Sequence, residues 1–572
     1  MTARFAPAVV LRTSWPFDSR GFVLRSPMPE PSSARCIGDW LVRWATEAPD
    51  RAFLAERAGT AWRRVSYGEA LGRVRRLAQA LLDAGLGPAA PLAILSGNSI
   101  DHALLALAAM HVGVPVAPVS PAYSLASQDH GKLRALVGAL APGAIWAEGV
   151  AFDRAFAALG VQRFEIAEAE PTSAVDDAFA RITPATIAKI LFTSGSTGTP
   201  KGVVNTHRML CANQAAIAAG WPFLDDRPPV IVDWLPWSHT FGANHNFNMI
   251  LAHGGTLCID AGKPAPGAFD TTLANLREVP STLYFNVPRG FDMLVGALET
   301  DDVLRETFFR DLDIVFYAAA ALSPATWDRL AAVARRAGKQ PAMVSAWGST
   351  ETSPLVTQVH FPIDRAGVIG LPAPGLTLAF VPSGDKLEMR VKGPSVTPGY
   401  WIAGGGIEPA PRDPHGFYPM GDAGRLADEH EPARGVVFDG RTAENFKLSS
   451  GTWVHVGELR IALVAACSPF VADAVITGHD RDEVGALVFA APGHVIDDRE
   501  LAEGLARCNA TREGSAARIV RARVLREPPS IDHGEITDKG YLNQRAVLAR
   551  RAAEVEALYA GDCVVVADGS RT

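Results

Sequence analysis

Apolar residues recur along this chain in two rhythms. Across residues 67–86 they stand at Leu71, Val74, Leu77, Ala78, Leu81 and Leu82, the spacing of one helical face. Gly85 stands where such a helix stops. Residues 36–46 repeat the pattern with Ile37, Trp40, Leu41 and Trp44. The second rhythm is the short, unbroken apolar run. Residues 92–95 and 114–119 are of this kind, on either side of a helical stretch over 99–111. Strands that are apolar on both faces and alternate with helices predict a parallel sheet covered on both sides. The alternation resumes with runs at 187–192, 230–235, 256–259, 282–286, 314–318 and 343–346.

The rhythm then changes twice. From Leu376 the chain turns to short alternating strands separated by Gly and Pro, as in LTLAFVPSG and KLEMRVKG, which predicts a β-rich subdomain over 376–440. From Arg441 helices over 458–466 and 498–508 accompany strands over 472–477 and 485–490. The expected fold is α/β. A large N-terminal domain, residues 36–440, has mixed and parallel sheets flanked by helices and includes the β-rich subdomain. A small α+β C-terminal domain, residues 441–572, is joined to it near 440–444. Residues 1–35, rich in Pro, Arg and Ser, read as an arm lying on the surface.

Composition narrows the class. A chain of 572 residues exceeds what one core supports. The net charge of −7, with no dense Lys/Arg block, argues against a nucleic-acid surface. The six cysteines are scattered without CxxC pairs, as in a cytoplasmic protein with reduced thiols. The longest apolar tract, residues 103–119, contains His111, Gly113, Pro115 and Pro118, which suits a buried helix running into a strand better than a membrane span. The N-terminal apolar run is too short for a secretory signal.

The strand at 187–192 leads into LFTSGSTGTPKG, residues 191–202. Glycines permit positive φ, so successive N–H groups can converge on an anion, and the hydroxyls and Lys201 add donors and charge. This composition suits a loop gripping a polyphosphate. It is not a Walker A loop, because Pro200 precedes Lys201 and Gly202 follows it. WGSTE, residues 347–351, follows a strand end, where Thr350 offers a hydroxyl and Glu351 a hard oxygen for Mg2+. Asp422 in GFYPMGDAGR could accept both hydroxyls of a ribose, or simply close an Asx turn. WLPWSHTFGANHNF, residues 234–247, reads as an aromatic pocket wall with one positioned histidine, although at least one of Trp234 and Trp237 is expected to serve the core. Lys539 lies in a turn-prone segment and by itself reads as a surface charge.

In this order, over residues 35–555, these stretches resemble the adenylate-forming superfamily of acyl-CoA synthetases, luciferases and peptide-synthetase adenylation domains. SGNSIDHALLALAAMHVGVPVAPVSPAYS, VDWLPWSHTFGANHNF, FKLSSGTWVHVGELR and GEITDKGYLNQRAVL look most like feruloyl-CoA synthases and their bacterial aryl-CoA relatives. The resemblance implies that a carboxylate attacks the α-phosphorus of ATP to give an acyl-adenylate and pyrophosphate. Thr193, Ser194, Gly195, Ser196, Thr197, Gly198 and Lys201 would hold the β- and γ-phosphates. Thr350 would touch the α-phosphate, Glu351 would hold Mg2+, and Asp422 and Arg441 would bind the ribose. Lys539 would bridge carboxylate and α-phosphate, with Lys447 as the alternative. Trp234, Trp237, His239, Phe241, Ala318, Ala319, Ala320 and Trp347 would line the acyl pocket. The mobile C-terminal domain would rotate about Ala443 and admit coenzyme A beside Lys447 and Gly451.

Three positions depart from the family pattern. Ala443 replaces the usual polar hinge residue, YAAAAL (residues 317–322) has alanine where many relatives have glycine, and Lys539 sits in GEITDKG. The expected activity is ATP-dependent ligation of a hydroxycinnamate to coenzyme A, with no nucleic-acid or membrane partner. Loading of a separate carrier protein and a catalytically silent nucleotide-binding protein are the two alternatives.

Overall fold

The computed structural model describes residues 3–565 apart from 17, 195–199, 266, 319–321, 538, 539 and 541. Gly195, Ser196, Thr197, Gly198, Ala319, Ala320 and Lys539 lie outside the described residues. The fold is mixed α/β, with a large N-terminal part and a small C-terminal one. Among the described residues no helix is long and apolar enough to cross a membrane.

The helix with the clearest stripe, Tyr67–Asp83, starts at Ser66, whose hydroxyl accepts from Glu69 N while the Glu69 carboxylate accepts from Ser66 N. Such reciprocal capping contributes about 1 kcal/mol. At its other end Gly85, at φ +73°, lets its own N–H reach Leu82 O and lets Leu86 N reach Leu81 O. Its buried face (Val74, Leu77, Ala78, Leu81) packs on the helix Ile100–His111, which Ser99 caps.

These helices cover a seven-stranded sheet. Ala144–Ala147, Leu92–Leu95, Val116–Val119 and Ile187–Ser194 run parallel, and Pro200–Thr206 turns back antiparallel on Ile187–Ser194. A second, eleven-stranded sheet begins parallel with Leu283–Asn286, Ile314–Tyr317 and Ala342–Gly348, then becomes antiparallel through Leu355–Gln358 and Val368–Pro372.

The β-rich stretch is divided between the two sheets. Thr377–Ser383, Lys386–Lys392, Tyr418–Leu426 and Val436–Arg441 extend the eleven-stranded sheet, whereas Gly399–Ile402 crosses to pair with Pro200–Thr206. Residues 1–35 also correct the reading of a surface arm. Phe22–Arg25 pairs with Thr377–Ser383, and Phe22 and Leu24 are buried, with Phe22 stacked on Phe380 at 4.3 Å. In the C-terminal part a four-stranded sheet packs on the helices Val456–Ala466 and Asp498–Asn509. Asp532 of that part accepts hydrogen bonds from Ser127 Oγ (2.5 Å) and Gln128 N (3.1 Å) of the N-terminal part.

Candidate active site

The site is built where the two sheets meet. Ile187–Ser194 and Pro200–Thr206 pair antiparallel on either side of residues 195–199 in the sequence, with Thr193 opposite Lys201 and Ser194 opposite Pro200. Lys201 is exposed, and its Nζ stands 5.1 Å from the Tyr400 ring centroid. Tyr400 is carried there because its strand pairs with Val203. Its hydroxyl shares a 3.0 Å hydrogen bond with the Tyr418 hydroxyl.

Glu351 lies in the single 3-10 turn Thr350–Thr352 that follows the strand Ala342–Gly348. Only glycine fits at 348, because a Cβ there would lie 1.7 Å from Pro354 O. Ser349 Oγ accepts from Glu351 N and donates to the Glu351 carboxylate at 2.8 Å. Thr397 ties this turn to the hairpin: its N–H donates to Glu351 O and its hydroxyl to Val204 O. Burial raises the phenol pKa of Tyr400 and of Tyr418, and the negative charge of Glu351 raises both further.

Asp422 completes the rim on the strand Tyr418–Leu426. It accepts from Trp347 Nε1 at 2.9 Å and faces Arg441 Nε at 3.7 Å, with Arg441 its direct partner on the next strand. Burial pushes the Asp422 carboxyl up from its ordinary value; Arg441 and Trp347 oppose that, while Glu444 and Glu351 add to it. Trp347, expected in the pocket wall, is thus buried and bound to Asp422.

Residues 241–247 form a π-helix, a geometry that recurs at functional sites. Phe241 is half-buried and faces Phe316 at 5.5 Å and Phe285 at 6.4 Å. Trp234, also half-buried, donates to Asn286 Oδ1 at 3.2 Å. His239 is buried at the start of this segment. Trp237 is taken up by the core, edge-on to His102 and Phe247. Ala318 is half-buried at the end of Ile314–Tyr317.

In the C-terminal part Gly451 turns a hairpin at φ +81°, and Lys447 Nζ stands 4.9 Å from the Trp453 ring centroid. Ala443 is exposed, and its neighbour Thr442 is anchored to Gly421 O by both N–H and hydroxyl. Sequence reasoning missed Tyr400, Tyr418 and the buried polar residues behind the hairpin. The available signal was Lys189, a lysine inside an otherwise apolar strand.

Residues 41–401 match the AMP-binding enzyme family, and residues 447–562 match the AMP-binding enzyme C-terminal domain. An indoleacetate–CoA ligase of Aromatoleum aromaticum is 26% identical over 79% of this chain and 87% of its own length. A feruloyl-CoA synthase of an Amycolatopsis species is 27% identical over 64% of this chain and 71% of its own. A probable nonribosomal peptide synthetase, CymA of Salinispora arenicola, is 29% identical over 76% of this chain, which spans 5% of the synthetase's length. Among solved structures, ATP-bound MatB of Rhodopseudomonas palustris superposes with a TM-score of 0.68 at 23% identity, covering 91% of this chain and 99% of that one.

Proposed function

The chain belongs to the AMP-binding enzyme family, and we propose that it joins an aromatic carboxylic acid, a hydroxycinnamate such as ferulate, to coenzyme A at the expense of ATP. The observation that supports this reading is that Lys201 stands over Tyr400, and that the charge of Glu351 acts on both the Tyr400 phenol and the Asp422 carboxyl; Trp234 and Phe241 would supply the aromatic wall.

The rim fits a nucleotide. Asp422, partly desolvated and held by Trp347, offers acceptor oxygens to a ribose, with Arg441 beside it. Lys201 and the hydroxyls of residues 193–197 supply positive charge and donors for the β- and γ-phosphates. Mg2+ binds through one or two carboxylates and the substrate's own phosphates, so Glu351 suffices on the protein side. That ion would neutralise charge developing on the phosphate oxygens.

Two steps follow. A carboxylate oxygen attacks the α-phosphorus near Thr350, and pyrophosphate leaves toward Lys201. The thiol of coenzyme A then attacks the acyl carbon, loses its proton, and AMP leaves. Lys539 bridges carboxylate and α-phosphate in the first step; Lys447 and Gly451 stand near the thiol in the second, after rotation about Ala443. Relatives named for indoleacetate and ferulate support an aromatic acid, and an aromatic contact is worth about 0.5–1.5 kcal/mol beyond its area.

The test is incubation with ATP, Mg2+ and ferulate, with and without coenzyme A. Pyrophosphate in both and a thioester only with coenzyme A is expected. Pyrophosphate with no thioester would point to carrier loading. No ATP consumption would overturn the reading.

A further inference from the structure

The hairpin that carries the phosphate loop has two polar side chains buried within it. Lys189 and Asn205 are direct cross-strand partners, 4% and 0% exposed. A polar group in such a place costs free energy unless each donor and acceptor is matched. Both are matched through Asn244, in the middle of the π-helix and itself 0% exposed.

Asn244 Nδ2 donates to Asn205 Oδ1 at 3.0 Å and to Thr240 Oγ1 at 3.0 Å. Asn244 Oδ1 accepts from Lys189 Nζ at 3.3 Å, and Lys189 also donates to Ala243 O at 3.1 Å. The amide of Asn244 thus has every hydrogen-bonding position of its side chain used except one lone pair. Asn205 Oδ1 accepts a second bond, from Ser353 Oγ at 3.2 Å, while its Nδ2 is held by Val203 O.

The two ends of this chain of bonds lie in different halves of the site. Thr240 sits between His239 and Phe241 of the acyl wall. Ser353, fully buried and in the left-handed region at φ +69°, is two residues from Glu351. Lys189 and Asn205 lie on the two strands that end in the phosphate loop. Displacing the wall therefore pulls on the Glu351 turn through side chains that cannot exchange partners with water.

We propose that Asn244 is a positioning residue that couples the acid pocket to the nucleotide site through Asn205 and Ser353. Acid seated against Phe241 sets Thr240 and Asn244, and through them the turn that presents Thr350 and Glu351 to the nucleotide. Linkage makes the effect reciprocal: nucleotide tightens acid by the same factor as acid tightens nucleotide. The proposal rests on the ligase reading for the identity of the two ligands.

The experiment uses the full chain, with α,β-methylene-ATP and Mg2+ as a nucleotide that cannot react. Its affinity is measured by calorimetry with and without saturating ferulate. In the wild-type protein ferulate is expected to tighten the analogue by roughly fivefold or more, the lower end of usual coupling. Asn244→Ala is expected to bring that ratio to within about twofold of one. Ser353→Ala, which removes one hydroxyl at the far end and serves should Asn244→Ala not fold, is expected to reduce the ratio in part. A merely structural role would weaken both ligands and leave their ratio intact. That result, or a wild-type ratio of one, overturns the proposal. Failure of the ligase reading looks different: wild-type protein releases no pyrophosphate from ATP with ferulate.

Discussion

Trp347 Nε1 donates a 2.9 Å hydrogen bond to the Asp422 carboxylate across 75 residues of chain. The bond favours the charged form of an acid whose pKa burial has raised. Trp347→Phe keeps the ring and removes the donor. A hydrogen bond to a charged group is worth about 1.5–3 kcal/mol, so affinity for ATP should fall roughly 10- to 100-fold. The sign for pH follows. Without the donor the Asp422 carboxyl rises further, so the acid-side loss of ATP affinity should begin at higher pH in the variant. Nucleotide titrations across a pH series check both; coincident curves would remove Trp347 from the site.

Lys201 rests over Tyr400, whose hydroxyl is tied to Tyr418. An exposed cation–π contact contributes about 0.5–1 kcal/mol. Tyr400→Leu should therefore slow ATP–pyrophosphate exchange only modestly, roughly two- to fivefold. Tyr400→Phe keeps the ring and should lose less. Lys201→Met removes the charge itself and should lose far more than either. Equal losses in the two Tyr400 variants would mean that the hydroxyl, not the ring, matters.

The helix Tyr67–Asp83 was legible because burial on one face imposes a helical period, and the strand Thr256–Ile259 because burial on both faces leaves an unbroken apolar run. The loop 191–202, Glu351 and Asp422 stood out in the sequence because a polyphosphate, a hard cation and a sugar diol each call for particular residue types, and Glu351 and Asp422 prove close enough for the charge of one to act on the other. The strand Phe22–Arg25 was not: four residues with Phe22 and Leu24 inward carry too little periodicity to stand out among prolines and arginines. The π-helix has no spacing signal of its own, and its aromatic residues suggested only a wall. Lys189 stands out as a lysine in an apolar strand, but its partner Asn244 lies 55 residues later and no spacing in the sequence joins them. Nothing in WGSTE reveals that Trp347 meets a partner as distant as Asp422.

Lys189 also gives the fold a pH signature. Burial, with no carboxylate partner among the described residues, pulls its amine from 10.5 to about 7. Between those values the unfolded chain holds a proton that the folded chain does not. Stability therefore rises with pH across this window, and the contribution present above the unfolded value is lost as pH falls through about 7. His102 and His207, whose imidazoles burial and the Lys189 charge depress to about 4 and about 3, stay neutral throughout. Thermal melts from pH 7 to 9 should rise more steeply for wild type than for Lys189→Met. Parallel slopes would mean that Lys189 titrates normally.

Phe241 is the wall residue whose removal best tests an aromatic substrate. It is half-buried, at the head of the π-helix, and its ring meets those of Phe316, His245 and Phe285 at 5.5, 5.8 and 6.4 Å. An aromatic acid lying against its exposed part gains about 0.5–1.5 kcal/mol beyond area burial, whereas a saturated chain gains area alone. Phe241→Ala removes both terms for ferulate and only the second for a fatty acid of similar length. The ratio of kcat/KM for ferulate over octanoate should therefore fall roughly two- to tenfold in the variant. KM for ATP is a control on damage to the nucleotide half. A ratio that holds while both acids weaken together would assign Phe241 to packing and move the search for the specificity residue to Trp234.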